Sequence, residues 1–231
     1  RRVLFRSELL FGVGPEVRVL QASDFPRLGG EGRGGASQGQ RGTSKGAPRG
    51  APRGAPRGEA SESSHRPRPK LLGALRGHEK EVDAVAVSGD GRWVATGARD
   101  GTARLWDLKE RRQVAVLKDH KSRVFAVAFS PSGDLLATGG RDKMVRLWRV
   151  PSGKPAGVLS GHTGSVVGVA ISRDGSRLVS TSSSGRLRIW ALPGGKPEPT
   201  IENVPRDIAR LAFIRGGRWI LAAAGSDLYV F

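Results

Sequence analysis

One spacing governs this chain. Gly77-His78, Asp119-His120 and Gly161-His162 stand 42 residues apart, and so do Trp106, Trp148 and Trp190. A period in the low forties, with a histidine near its start and a tryptophan near its end, marks a supersecondary repeat. Such a unit cannot bury its own apolar face and must lean on its neighbours. A surface built from stacked units suits binding better than catalysis.

Within each copy (77–107, 119–149 and 161–191) short apolar runs alternate with turn signals. In the second copy Val124–Phe129 reads as a strand and Ser130-Pro131-Ser132-Gly133 as a turn. Leu135–Thr138 is then a second strand, Arg141-Asp142-Lys143 a tight turn and Val145–Trp148 a third strand. Segments between copies, such as Val114–Leu117 and Ala156–Leu159, read as a fourth. Four short antiparallel strands per unit, repeated, describe the blades of a β-propeller.

A weaker fourth copy occupies 202–231. Trp219 follows Trp93 by 126 residues, and RWILAAAGSDLYVF aligns with RWVATGARDGTARLW after one deletion in the turn, which puts Phe231 at the tryptophan position. Residues 8–22 have the form strand, turn, strand. They read as the inner part of a degenerate preceding blade whose outer strand is Leu71–Leu75. The expected fold is all-β, with about four to five blades and an incomplete ring, the propeller repeats running from 71 to 231.

The formal net charge of +18 is concentrated toward the start, where the first 70 residues carry 14 basic and 6 acidic side chains. Residues 23–70 are poor in large apolar side chains and repeat Gly-Ala-Pro-Arg from Gly46, so they read as a disordered basic insert. Arginines on such a segment neutralise phosphates, which makes 33–70 a candidate for nucleic acid. With Phe25 as the one aromatic of 23–70, base stacking would be weak.

The absence of cysteine excludes disulfides and thiolate-bound zinc and points to an intracellular setting, cytoplasm or nucleus. No apolar run is long enough for a transmembrane helix. The chain begins at Arg1, its single methionine is Met144, and its first seven residues resemble a translated sequencing adapter. Residues 1–7 are therefore set aside as non-native, and the chain reads as a fragment.

The three strong copies and the weaker fourth resemble the WD40 repeat family over 77–231. The resemblance implies a closed propeller, most often of seven blades, and a buried hydrogen-bond relay inside each blade. The relay would be His78, Thr96, Asp100 and Trp106 in the first copy, and His120, Thr138, Asp142 and Trp148 in the second. The third copy has His162, Ser180 and Trp190, with Ser184 where the aspartate belongs. The third blade should tolerate further loss least, because a half-satisfied network costs stability.

The resemblance also implies partner contacts from the residue before the turn aspartate and from the start of the first strand. Those positions hold Arg99, Arg141 and Ser183, then Glu81 and Asp83, Arg123 and Phe125, and Ser165 and Val167. Arginines beside Phe125 have a hot-spot composition and would suit an acidic or phosphorylated peptide.

Nothing in the sequence points to catalysis or a cofactor. The periodic histidines belong to different copies, so they do not converge on a metal. Gly30 to Gly35 matches G-x-G-x-x-G by accident of composition, following no strand and opening no helix. No G-x-S-x-G elbow or phosphate-binding loop is present. Three readings follow: a non-catalytic protein-binding scaffold, a nucleic-acid-associated factor, and a regulatory propeller of a larger enzyme or NTPase.

Overall fold

The computed structural model describes the strands at 2–5, 8–13 and 16–21 and then residues 71–231. The insert at 23–70, with His65 and the candidate nucleic-acid segment, lies outside the described residues. Five antiparallel sheets follow one another along the chain. The first joins β1 (Arg2–Phe5), β2 (Glu8–Val13), β3 (Glu16–Gln21) and β4 (Leu71–Leu75) in that order. Residues 2–5, set aside by their adapter-like sequence, are thus drawn into a sheet as β1.

Three sheets correspond to the three strong copies. The second holds β5 (Val82–Val87), β6 (Trp93–Ala98), β7 (Ala103–Asp107) and β8 (Arg112–Leu117). The third holds β9 (Val124–Phe129), β10 (Leu135–Gly140), β11 (Val145–Arg149) and β12 (Pro155–Leu159). The fourth holds β13 (Val166–Ile171), β14 (Arg177–Ser182) and β15 (Arg186–Ala191). Its outer edge is broken into β16 (Lys196–Pro197) and β17 (Ile201–Glu202), which both pair with β15. The fifth sheet has three strands, β18 (Ile208–Ile214), β19 (Trp219–Ala224) and β20 (Asp227–Val230), with a single 3-10 turn at Arg215–Gly217.

The core lies between sheets rather than within them. Trp148 of β11 packs in one cluster with Ala95 and Leu117 of the sheet before it. Trp190 packs with Leu147 and Leu159, and Trp106 with Leu75 of β4. Each blade thus buries its tryptophan against its predecessor, as neighbour-dependent stacking requires. The middle strands β10 and β14 are buried at five consecutive positions, because sheets cover both their faces. In β19 burial alternates, the period-2 pattern of a strand covered on one face.

Close approach explains two glycines. A Cβ on Gly97 would stand 2.7 Å from Val124 Cγ1, and one on Gly139 would stand 2.6 Å from Val166 Cγ1. The next position in the series is Thr181, and there the small residue has moved to the partner strand. Gly168 faces Thr181 where Ala126 faces Gly139. A Cβ on Gly168 would meet Thr181 Oγ1 at 2.9 Å. The Thr181 hydroxyl is buried and has no partner among the described residues. Thr181→Val keeps the shape and removes that hydroxyl, so it should be neutral or stabilise by up to about 1 kcal/mol in denaturant melts. A clear loss would show that the hydroxyl is bonded.

Candidate docking face and its internal relay

The relay residues come from four places in each blade and are brought together by strand register. Thr96 and Trp106 sit on adjacent strands, with Val94 opposite Trp106 and Thr96 opposite Arg104. Trp106 Nε1–H donates to Thr96 Oγ1 at 2.9 Å, and Thr96 Oγ1 is 2.7 Å from His78 Nε2. The hydroxyl accepts from the indole and donates to Nε2. This fixes the imidazole proton on Nδ1, which donates to Asp100 Oδ2 at 2.9 Å. The same chain runs through the second copy. Trp148 Nε1–H donates to Thr138 Oγ1 at 2.9 Å, His120 Nε2 lies 2.8 Å from that oxygen, and His120 Nδ1 lies 2.9 Å from Asp142 Oδ1. Asp100 also accepts from Glu79 N at 3.1 Å and from Thr102 N at 2.8 Å. The carboxylate therefore ties the GH loop to the turn that follows the second strand.

The third copy stops short. Trp190 donates to Ser180 Oγ at 2.8 Å, and Ser180 Oγ is 2.7 Å from His162 Nε2. His162 Nδ1 is buried with no partner among the described residues, and Ser184 turns instead to Ser182, with 2.8 Å between their hydroxyls. In the fifth sheet the polar set is gone. Ile220 pairs with Phe231 as Leu136 pairs with Trp148. Ala222 takes the threonine position and Val204 the histidine position, both buried in the same apolar cluster as the half-buried Phe231. Replacing donor, acceptor and relay together leaves no orphan, which is the stable alternative to a complete network.

Burial lowers the pKa of His78 and His120, and the paired aspartates offset this only in part. Burial raises Asp100 and Asp142, but hydrogen bonds from Thr102 and His78, and from His120, carry both below the usual carboxylate range. In His162, burial and then the charges of Arg188 and Arg186 bring the pKa to about 4. The folded pKa is depressed, so the stability this group contributes is complete above pH 6.5. It is lost as pH falls from 6.5 through about 4, because the unfolded chain binds the proton that the folded chain excludes. Melts across that window should show a falling Tm. Ser184→Asp, which offers Nδ1 an acceptor, should make the fall shallower; equal slopes would contradict the assignment.

The outer candidates lie around the GH loops and the turns after the second strands. Arg123 reaches across to the preceding sheet and binds Asp83 through both ends of its guanidinium, Nε to Oδ2 at 2.6 Å and Nη2 to Oδ1 at 2.8 Å. The guanidinium carbon also lies 4.6 Å from the centre of the Phe125 ring. Arg99 pairs with Glu81 and lies 3.4 Å from Asp83 Oδ1. Arg99, Glu81, Asp83, Arg123 and Phe125 therefore form one cluster spanning two sheets, with Asp83 shared by two arginines, while Ser183 and Ser165 meet in the third copy, Ser165 N–H donating to Ser183 Oγ at 3.1 Å. Arg141 stands apart. Its side chain is exposed and makes no ion pair among the described residues, while its backbone N–H donates to Arg123 O at 2.8 Å. The basic character expected of Arg99 and Arg123 is largely neutralised by their own neighbours, which leaves Arg141 as the open cation.

Sequence reasoning passed over a third set. Arg104, Arg146 and Arg188 stand two residues before each repeat tryptophan, a periodic signal visible in the chain. Their Nε atoms are buried without partners among the described residues, and Arg146 Nη2 lies 3.5 Å from Asp142 Oδ2. Among the described residues no group of acidic, histidine or cysteine side chains is placed to hold a metal, and no helix is long and apolar enough to cross a membrane.

The inner strands β5, β9, β13 and β18 line an open groove of about 410 Å³, walled by small and aliphatic residues together with Phe129, Phe213 and Arg210. Nothing in it pairs titratable groups for chemistry.

Comparison with known proteins agrees with this geometry. A 45-residue segment is 51% identical to the small ribosomal subunit protein RACK1y of Oryza sativa subsp. japonica, covering 20% of this chain and 13% of that protein. A 50-residue segment is 44% identical to the ribosome biogenesis protein erb1 of Aspergillus oryzae, covering 21% of this chain and 6% of that protein. The small ribosomal subunit protein RACK1 of Medicago sativa is 47% identical over 45 residues, which are 20% of this chain and 14% of its own length. The model of the WD domain, G-beta repeat matches residues 69–107, 111–149 and 153–191, one for each full relay-bearing or relay-like sheet. With those three units covering just over half of its residues, the chain belongs to the WD40 family.

Proposed function

We propose that this chain is a non-catalytic, intracellular scaffold that docks another protein on the face carrying Arg99, Glu81, Asp83, Arg123, Phe125 and Arg141. The observation that carries the reading is the contrast on that face. Arg123 is clamped by Asp83 and stacked on Phe125, while exposed Arg141 has no ion-pair partner among the described residues. A rigid aromatic-arginine anchor beside an open guanidinium suits a peptide that brings one carboxylate or phosphate. In the first two copies the relay supports the face from beneath by holding the GH loop to its turn.

The test is a set of acidic and phosphoserine-bearing peptides titrated against the chain. Arg141→Ala should weaken binding about tenfold or more and flatten its salt dependence, with Tm unchanged. Equal affinity for Arg141→Ala and the native chain would reject the site.

A second reading rests on the relatives, which are a small ribosomal subunit protein and a ribosome biogenesis protein. Together with the basic first 70 residues it favours a ribonucleoprotein setting, with 33–70 contacting RNA. Captured partners that survive nuclease treatment favour protein docking; partners lost with the RNA favour this second reading.

A further inference from the structure

In the second copy the turn aspartate serves two groups at once. Asp142 Oδ1 accepts from His120 Nδ1 at 2.9 Å, and its Oδ2 lies 3.5 Å from Arg146 Nη2. The next copy keeps both groups, as His162 and Arg188, and puts Ser184 in place of the aspartate. His162 is 6% exposed, and its Nδ1 has no partner. The arginine Nε atoms are unpartnered in all three copies and do not set the third apart.

Charge does set it apart. At His78 Asp100 opposes Arg104, and at His120 Asp142 and Asp119 oppose Arg146, whereas at His162 the cations Arg188 and Arg186 act with no acidic group against them among the described residues. Arg186 has Glu202 at 3.4 Å, and Arg188 has no ion pair among the described residues. The Ser184 hydroxyl is half-buried, in a turn between two strands, with exposed Ser183 before it and Gly185 after it. In the repeat register Ser184 thus stands where two sister copies place an anion within reach of the histidine equivalent to His162, and one of them also within reach of the arginine equivalent to Arg188.

We propose that Ser184 is a phosphorylation site, and that the phosphoryl group on its Oγ supplies the anion that the turn aspartate supplies in the two preceding blades. The donor is ATP and the catalyst a serine/threonine kinase. The Oγ–P bond forms, the bond between the γ-phosphorus and the β–γ bridging oxygen breaks, and ADP leaves with that electron pair. The hydroxyl proton passes to the base of the kinase. The product carries a charge of about −1.5 to −2 at neutral pH and three strong acceptor oxygens. One oxygen accepts from His162 Nδ1–H, another takes the Arg188 guanidinium, and the half-exposed turn leaves the third in water.

The consequence reaches the docking face. Ser183, beside the phosphate, occupies the position that Arg99 and Arg141 hold in the earlier copies. Modification therefore tightens the third blade and changes the charge of its rim together.

The experiment places phosphoserine at 184 by genetic encoding, with phosphoserine at 183 and Ser184→Ala for comparison. Phosphoserine at 184 should raise Tm by about 2–4 °C. It should also raise the His162 pKa, read by imidazole NMR, by at least one unit from its starting value near 4. Phosphoserine at 183 should do neither. A Tm and a His162 titration that match those of the 183 chain would overturn the proposal, as would a lowered Tm. Incubated with ATP and a serine/threonine kinase that accepts a basic residue two positions after its target, as Arg186 stands to Ser184, the native chain should yield a phosphopeptide containing Ser184 that Ser184→Ala lacks. A phosphopeptide map without Ser184 would also overturn it.

Discussion

Trp148→Ala should destabilise the protein by about 3–5 kcal/mol, the range for deleting a fully packed aromatic. Trp148 is 2% exposed and fills the seam between its own blade and the one before, against Ala95 and Leu117. Its loss opens a cavity in an interface that two sheets share, so both are weakened. Trp148→Phe separates packing from hydrogen bonding. It keeps most of the apolar surface and removes the N–H that Thr138 Oγ1 accepts at 2.9 Å, for a cost of about 1–2 kcal/mol. Phe231 shows how the same substitution is accommodated in the fifth sheet, where Ala222 leaves no hydroxyl waiting for a donor. Combining Trp148→Phe with Thr138→Ala and His120→Val should therefore cost less than the sum of the three single changes. Urea melts of the set measure this, and strict additivity would contradict a cooperative relay.

Asp142→Ala should cost roughly 1–3 kcal/mol. The change strands His120 Nδ1–H in the interior and leaves Met144 N and Arg146 Nη2 without the carboxylate that each approaches at 3.4–3.5 Å. The third copy already lives with the equivalent loss, so the substitution repeats in one blade what Ser184 does in the next. The control is Lys121→Ala in the exposed loop. Equal melting temperatures for the two variants would remove the carboxylate from the account.

Much of this architecture is written in one-dimensional spacing. The 42-residue period locates His, Thr or Ser, Asp and Trp at fixed offsets, and strand register then has little freedom, since a slip of one residue would turn each strand over. The defect in the third copy is legible for the same reason: Ser184 is visibly not an acid. Three features were harder to read because they depend on pairs of residues distant in sequence. Val204 and Ala222 look like ordinary apolar residues until Phe231 is placed in register with Ile220. The exchange of a small residue from Gly139 to Gly168 shows only when the partner strand is known. The pairing of Asp83 with Arg123 crosses from one sheet to the next over 40 residues. Seen in sequence alone, Arg99, Arg123 and Arg141 are three equivalent cations. Asp83 and Glu81 distinguish them by taking up the first two.

An internal chain of donors, complete in two blades and broken in the third, pins the GH loops beneath the proposed docking face in the two complete blades. Hydrogen exchange at the indole N–H groups of Trp106, Trp148, Trp190 and Trp219, resolved by nitrogen-15 NMR, tests this directly. The Trp106 and Trp148 indoles should exchange slowest, Trp190 faster because its relay ends at an unpaired His162, and Trp219, 46% exposed, fastest. A Trp148 indole that exchanges as fast as that of Trp219 would contradict the claim.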